Sequence, residues 1–332
     1  MAVNARRGAN VVALLIVLAL MLIAGIAIGS VGLAPATVVH ALLHPHGDDV
    51  ATTIVWALRL PRVLIALLVG GALAVSGTML QGLLRNGLVD PYLTGGSAGA
   101  AFTIAVAIVL GAPAPSFAAL AFVAALGTTL GVAALARSGR GVAPERLILA
   151  GIAVSSLFAG LTTLVIIEWA SSSASLEILS WLGGSLAGHG WNDLGWAALY
   201  ATAGAVLALA AVPALNALRL GDVRARALGV DLDRTRWLVL IASSLLVAAA
   251  VSVSGVVGYV GLIVPHVVRR LCGSDTRWAV PASVPAGAIV VLLADVIART
   301  ASTHQELPIG VLLSVVGVPA FLYLGFLRRR AA

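Results

Sequence analysis

Long apolar segments, separated by short polar ones, follow one another along almost the whole chain. A helix that crosses the hydrocarbon core of a bilayer needs about 20 predominantly apolar residues. The pattern therefore predicts an all-α polytopic membrane protein of about ten transmembrane helices, in which residues 1–332 form a single transmembrane domain. The predicted spans are 11–32, 63–84, 92–111, 114–136, 146–168, 194–215, 237–255, 257–272, 280–299 and 308–327.

Two segments depart from a regular series of crossings. The eighth span is short and contains Pro265, which favours a broken helix. Residues 174–188, between the fifth and sixth spans, predict a short interfacial helix with Trp181 and Trp191 near the lipid headgroups. With ten spans, both chain ends are expected on the same side of the membrane.

Composition supports a membrane protein and excludes several other classes. Hydrophobic residues make up 61% of the chain and charged residues 10%, a balance that soluble domains do not show. All basic residues are arginine, so a phosphate-binding Walker loop, which requires lysine, is excluded. The single cysteine, Cys272, excludes an internal disulfide and a cysteine-based metal site. The apolar run after Arg6 and Arg7 is too long for a signal-peptide core and is expected to be a retained span.

The distribution of arginine predicts the orientation. With the N-terminus in the cytoplasm, 17 of the 20 arginines fall on the cytoplasmic side, as the positive-inside rule requires. The net charge of +7 is therefore attributed to topology rather than to nucleic-acid binding. Only Arg59, Arg62 and Arg299 fall outside. The cytoplasmic set is Arg6, Arg7, Arg85, Arg137, Arg140, Arg146, Arg219, Arg224, Arg226, Arg234, Arg236, Arg269, Arg270, Arg277, Arg328, Arg329 and Arg330.

One polar segment, residues 216–236, is dense in charges of both signs and lies between two apolar runs. Arg224 and Arg226 fall in a helix-like stretch that Gly221 and Gly229 delimit, which predicts a pair of short helices on the membrane surface. From the pattern alone, a docking element for a soluble partner and an ordinary solvated loop are equally good interpretations.

Several other polar residues allow a functional and a structural interpretation. Asp295 and Glu168 could relay protons in a secondary transporter, but both lie near predicted outer ends, where ion pairing or solvation suffices. The string GGSAG around Ser97 matches a nucleophile elbow, with His266 or His304 as a base. No predicted strand precedes it, and small residues also allow close helix packing. His266 is expected to be a hydrogen-bonded structural residue rather than a metal ligand.

Ordered motifs over residues 55–325 resemble the FecCD family, the permease subunits of ABC importers for iron chelates and cobalamin. The strings that carry the resemblance are RLPR at 59–62, GALAVSG at 71–77, RLILAG at 146–151, WLGGSLAG at 181–188, GDVRARALGVDLDRTR at 221–236, GYVGLIVPH at 258–266 with Arg269, Ala294-Asp295 with Arg299, ELPIG at 306–310 and GVPAF at 317–321.

The resemblance implies a homodimeric type II ABC importer permease in the bacterial cytoplasmic (inner) membrane, with both termini cytoplasmic. The expected substrate is a ferric siderophore or haem; cobalamin is the alternative, and a proton-coupled secondary transporter is the runner-up mechanism. Expected partners are a second copy of the chain, two cytoplasmic ATPase subunits and an extracytoplasmic substrate-binding protein. Because ATP hydrolysis belongs to the ATPase subunit, the chain is not expected to be an enzyme or to bind a cofactor or metal itself.

The same resemblance assigns roles to residues. Arg59, Arg62 and Arg299 are expected to meet glutamates of the binding protein, although snorkelling of the first two and pairing of Arg299 with Asp295 explain them without a partner. The coupling loop, about 215–236, contributes Leu220, Gly221, Asp222, Arg224, Arg226, Ala227, Leu228 and Gly229. The cytoplasmic gate is expected at Val142, Ala143, Pro144 and Glu145, where this chain departs from the small polar residues usual in the family.

Overall fold

Fourteen α-helices and one two-stranded antiparallel ribbon make up the α and β structure of the residues that the computed structural model describes: 2–29, 31–45, 47, 49–138, 141–301 and 306–323. The helices are α1 (Ala2–Ala27), α2 (Pro35–Leu43), α3 (Val50–Thr53), α4 (Leu60–Leu83), α5 (Gly96–Val109), α6 (Phe117–Leu135), α7 (Pro144–Glu168), α8 (Ser172–Gly183), α9 (Trp191–Leu218), α10 (Asp222–Ala227), α11 (Leu232–Ser254), α12 (Val260–Cys272), α13 (Thr276–Thr300) and α14 (Ile309–Leu322). The strands are β1 (Arg137–Ser138) and β2 (Gly141–Val142). Arg140, His304 and Arg328 to Arg330 lie outside the described residues.

Each predicted span coincides with a helix, but the helices differ in length. Among the described residues, seven helical segments are long and apolar enough to cross a membrane. The other three are shorter: α5 and α14 have 14 residues each and α12 has 13. α5 is short because a 3₁₀ turn, Pro91–Thr94, occupies the start of the predicted third span. α12 begins only after Tyr259, whose backbone is left-handed with φ of 68°.

Helix α4 forms the centre of the bundle and is surrounded by α9, α11, α12 and α13. The neighbouring backbones approach so closely that side chains are excluded at the crossing points. A Cβ atom on Gly77 would lie 2.0 Å from the carbonyl oxygen of Gly261, and one on Gly70 would lie 2.3 Å from that of Gly287. Small residues thus set the spacing between membrane helices, as in other membrane bundles.

The segment between the first two spans contains structure that the hydrophobic pattern did not predict. α2 and α3 lead into a π-helical turn, Ile54–Arg59, which continues directly into α4. The segment packs through a small apolar cluster of Val38, Ala41 and Val55. The Trp56 indole nitrogen donates to the carbonyl of Ala41 at 2.9 Å. α2 was missed because nine residues are too few to register as a span.

Contacts between helix ends define two opposite ends of the bundle. Asn10, near the start of α1, donates to the carbonyl of Leu271 at the end of α12, whereas Arg59 binds carbonyls at the end of α1. We call the end with Asn10, Leu271 and Arg85 the inner end. We call the end with Arg59, Arg62, Arg299 and Glu306 the outer end. The three arginines predicted to be external therefore lie together at one end.

Candidate functional site

An ion-pair network occupies the outer end, and Arg62 is its centre. The Arg62 Nε donates to Asp295 Oδ1 at 2.8 Å, while Nη1 and Nη2 donate to the two carboxylate oxygens of Glu306 at 3.0 and 2.8 Å. Arg299 Nη2 lies 3.0 Å from Asp295 Oδ2, which confirms the predicted pairing four residues apart. The Asp295 side chain is fully buried. Asp295 is therefore held between the guanidinium groups of Arg62 and Arg299.

Arg59 is also satisfied within the chain. Its guanidinium is buried and donates to the carbonyl oxygens of Ile26 and Ala27 at 2.8 and 2.9 Å, and to that of Val31. These bonds satisfy carbonyls near the end of α1, for which the helix itself offers no backbone N–H donor. Arg59 thus ties the end of α1 to the start of α4.

A cavity of about 330 Å³ opens at the outer end beside this network. Arg59, Arg62, Arg299, His189 and Glu306 are among the residues that line it. Sequence reasoning found the three arginines but missed Glu306 as their partner. Spacing could not have revealed it, because 244 residues separate Glu306 from Arg62.

At the inner end, the polar segment 216–236 forms one short helix, α10. The expected second short helix is absent from the described residues of this segment. α10 follows Gly221, with φ of 100°, and is followed by Gly229, with φ of 80°. The residues of this segment that follow Gly229 lead into the first turn of α11 instead. There Asp231 accepts hydrogen bonds from the backbone of Asp233 and Arg234, both at 3.0 Å. This cap explains the difference, because it starts the long helix directly at Leu232.

α10 is fixed to the bundle by one face. The Asp222 carboxylate pairs with Arg85 at the end of α4 and, at 2.9 Å, with Arg236 in α11. Ala225, on the same face of α10, is fully buried. These ion pairs connect α10 to the end of α4 and to α11.

The other face of α10 presents apolar side chains to solvent. Val223 is 80% exposed, Leu228 65% and Leu220 52%, and Arg224 and Arg226 are also exposed. Large apolar side chains grouped beside charges outside the apolar spans are typical of a protein-binding surface. We call Leu220, Val223, Arg224, Arg226 and Leu228 the α10 surface. Val223 is the member that sequence reasoning missed.

The predicted gate segment leads into α7 through the small ribbon. The backbone of Ala143 donates to the carbonyl of Ala136 at 3.2 Å, which holds the segment against the end of α6. Arg137 stacks over the ring of Trp237 in α11, with the guanidinium carbon 5.2 Å from the ring centroid. Glu145 is exposed, and the side chains of Val142 and Pro144 lie outside the described set. The gate assignment remains a prediction.

A polar cluster joins α9 to α13 at the inner end. The Asn216 side-chain amide donates to Asp275 at 2.7 Å, and its oxygen accepts from the backbone and the hydroxyl of Thr276. The hydrogen bond from Asn216, followed by that from the Arg277 backbone, lowers the pKa of the Asp275 carboxyl.

The other candidate residues do not form a reactive site. Glu168 is exposed at the end of α7. The His266 Nδ1 lies 2.9 Å from the carbonyl of Leu262, and its ring meets Phe321 edge-on. Ser97 lies in the first turn of α5 after a 3₁₀ turn, whereas a nucleophile elbow follows a strand. The described residues contain no group of three or more metal-ligating His, Cys, Asp or Glu side chains.

Seven apolar spans in the described part of the chain, one of them containing the buried central helix α4, together with charged residues at both ends, define a multi-pass membrane protein. The chain belongs to the FecCD transport family, whose family model matches residues 15–326.

Relatives cover nearly the whole chain. It is 39% identical to the hemin transport system permease HmuU of Yersinia pestis, over 94% of each protein. It is 38% identical to the cobalamin import permease BtuC of Halobacterium salinarum, over 83% of this chain and 74% of that protein. A solved metal-chelate type ABC transporter in an inward-facing conformation superposes with a TM-score of 0.82 and 33% identity, over 95% of this chain and 97% of that one.

Proposed function

We propose that this chain is the permease subunit of an ATP-driven importer that carries an iron chelate, a ferric siderophore or haem, across the bacterial cytoplasmic membrane. The observation that carries the proposal is the α10 surface, an apolar and basic patch on a helix that is ion-paired to the end of the central helix. The chain has no lysine for a Walker loop, so ATP must be hydrolysed by a separate subunit. The names of its relatives support both the importer class and the substrate class.

In this proposal, two copies of the chain form a homodimer with two ATPase subunits on their inner ends. Ten helices of each copy cross the bilayer, and both termini face the cytoplasm. The inner end is cytoplasmic because it carries most of the described arginines. The substrate path runs along the dimer axis and is closed on the cytoplasmic side by the segment 142–145.

Coupling follows from how α10 is held. The ATPase binds the α10 surface, and its ATP-driven movement reaches α4 and α11 through the ion pairs of Asp222 with Arg85 and Arg236. The difference between the contacts made in the two states supplies the energy that shifts the permease between outward-open and inward-open forms.

At the outer end, the substrate-binding protein docks over the cavity beside Arg62. Arginine offers a planar fork to a carboxylate, which suits recognition of an acidic partner. Arg62 is the arginine best placed for this role, because Glu306, which fills its fork, is 39% exposed. Arg59 and Arg299 contribute positive charge and hold the helix ends in place.

Among chelates, haem is favoured by the similarity to the hemin permease, and cobalamin remains the alternative because a cobalamin permease is nearly as similar. A proton-coupled mechanism is disfavoured by the site of Asp295. Its carboxylate is already engaged in ion pairs with Arg62 and Arg299, which favours a structural role.

Copurification tests the proposal. The tagged chain, extracted gently from its native membrane, should bring with it a stoichiometric protein that bears a Walker motif. The variant Val223→Asp should lose that protein, whereas Val223→Thr, of similar size, should retain it. A well-folded chain that arrives without an ATPase, even after cross-linking, would refute the importer assignment.

A further inference from the structure

A second cavity, of about 470 Å³, lies at the inner end beneath the central helix α4. Arg85, Arg219 and Arg269 line it, together with Gln81, Ser274 and Thr276. Among the described lining residues, none is Asp or Glu. The cavity is therefore a concentrated positive site, and its polar walls are suited to a ligand with anionic oxygens.

Only one of the three arginines is neutralised within the described part of the chain. Arg85 pairs with Asp222. Arg269 Nη2 donates to the neutral Gln81 Oε1 at 2.7 Å, and Arg219 donates to the carbonyl of Ser274. Arg219 and Arg269 thus place two like charges in the lining of one cavity, where they repel each other. A bound anion would relieve this repulsion.

The walls restrict what can enter. α4, α12 and the start of α13 surround the cavity, and Arg219 closes the side of α9. The inner end of α1 covers the junction of α12 and α13, where Asn10 donates to the Leu271 carbonyl at 2.6 Å. The lining residues lie at or near helix ends, so the ligand is expected to arrive from the cytoplasmic face.

The cavity lies beside α10, and this position points to the partner that fills it. Arg85 belongs both to the cavity lining and to the ion pair that anchors α10. A protein seated on the α10 surface therefore lies directly beside the cavity. We propose that the cavity receives an aspartate or glutamate side chain of the ATPase subunit, as a second attachment point beside α10; this inference rests on the proposed function. The contact links the inner ends of α9, α12 and α13 to the ATPase, in addition to the link through α10.

The test compares two charge reversals at the same membrane end. Arg219→Glu places an acid in the cavity, whereas Arg277→Glu makes the same change on an exposed residue outside the cavity lining. Affinity is measured between the full chain in nanodiscs and the ATPase subunit that copurifies with it. Arg219→Glu should weaken binding about tenfold or more and Arg277→Glu less than about twofold. Equal effects of the two variants would overturn the proposal.

Further measurements cover the other outcomes. If Arg219→Glu does not accumulate in the membrane, Arg219→Gln is measured in its place. We expect it to weaken ATPase binding about threefold. A photo-cross-linker on Ser274→Cys should label an ATPase peptide that contains Asp or Glu. Labelling of lipid alone, or an Arg219 effect seen only in nanodiscs of anionic lipid, would contradict the inference.

If the unaltered chain binds no ATPase, the proposed function itself fails. If Arg224→Glu abolishes binding while Arg219→Glu leaves it intact, only the cavity inference fails.

Discussion

Glu306 fills the guanidinium fork of Arg62 with both of its carboxylate oxygens, at 2.8 and 3.0 Å. Arg62 is nearly buried, with 11% of its side chain exposed, whereas Glu306 is 39% exposed. A partner carboxylate that approached the outer cavity would thus meet an arginine that is already paired with a partly exposed acid. In the proposed importer, Glu306 would therefore compete with a carboxylate of the binding protein for Arg62.

Glu306→Gln should therefore strengthen docking of the substrate-binding protein. Removing the competing charge makes the outer cavity more positive, which raises the association rate and the affinity by about threefold to tenfold at low salt. Binding of the purified partner to the chain in nanodiscs measures this. Glu168→Gln, a change of the same kind in an exposed residue outside the network, should leave the affinity unchanged. Weaker docking by Glu306→Gln would count against the competitor role.

Polar substitutions on the α10 surface should uncouple the ATPase without unfolding the permease. Val223 and Leu228 are 80% and 65% exposed, so neither supports the bundle. Val223→Asp combined with Leu228→Asp should lower ATPase affinity at least about tenfold, as expected for apolar anchors at an interface. The unfolding temperature should change little. Undiminished ATP-driven transport by the double variant would exclude α10 as the coupling element.

Glycine positions at the helix crossings should be intolerant of a methyl group. Gly77→Ala forces a Cβ against the Gly261 backbone and should destabilise the fold by about 1–3 kcal/mol. Gly131→Ala in α6 meets nothing within 4 Å and should be neutral or stabilise the protein by up to about 1 kcal/mol. Unfolding in mixed detergent micelles compares the two. Equal stability of both variants would show that the close approach of α4 and α12 is not required.

The carboxylate of Asp275 should stabilise the fold in a pH-dependent way. Its pKa is lowered in the folded state, so its contribution is complete above the unfolded value of about 4 and is lost as pH falls through the folded value. The difference in unfolding temperature between the unaltered chain and Asp275→Asn should therefore shrink below about pH 4. A difference that stayed constant down to pH 2 would contradict the assigned cause.

The parts of the fold that could be predicted from the sequence are those encoded by local pattern. The apolar runs predicted the spans, and Gly221 and Gly229 correctly delimited α10 because a left-handed backbone favours glycine. Motif order predicted the family, and the family model confirms it.

What the sequence could not predict depends on contacts between distant segments. The pairing of Arg62 with Glu306, and the arginine cavity under α4, require helices far apart in the chain to meet. Val223 was overlooked because one valine in an apolar chain carries no signal until its exposure is known. The second coupling helix was predicted wrongly because the Asp231 cap starts α11 earlier than the apolar run does.

Uptake by proteoliposomes tests the proposed transport most directly. The permease, its copurified ATPase and the binding protein would be reconstituted with ATP supplied to the ATPase side, and haem, a ferric siderophore and cobalamin would be offered separately. We expect ATP-dependent accumulation of an iron chelate that survives a proton uncoupler and is lost with Val223→Asp. Transport that ignores ATP but collapses with the uncoupler would contradict the importer assignment.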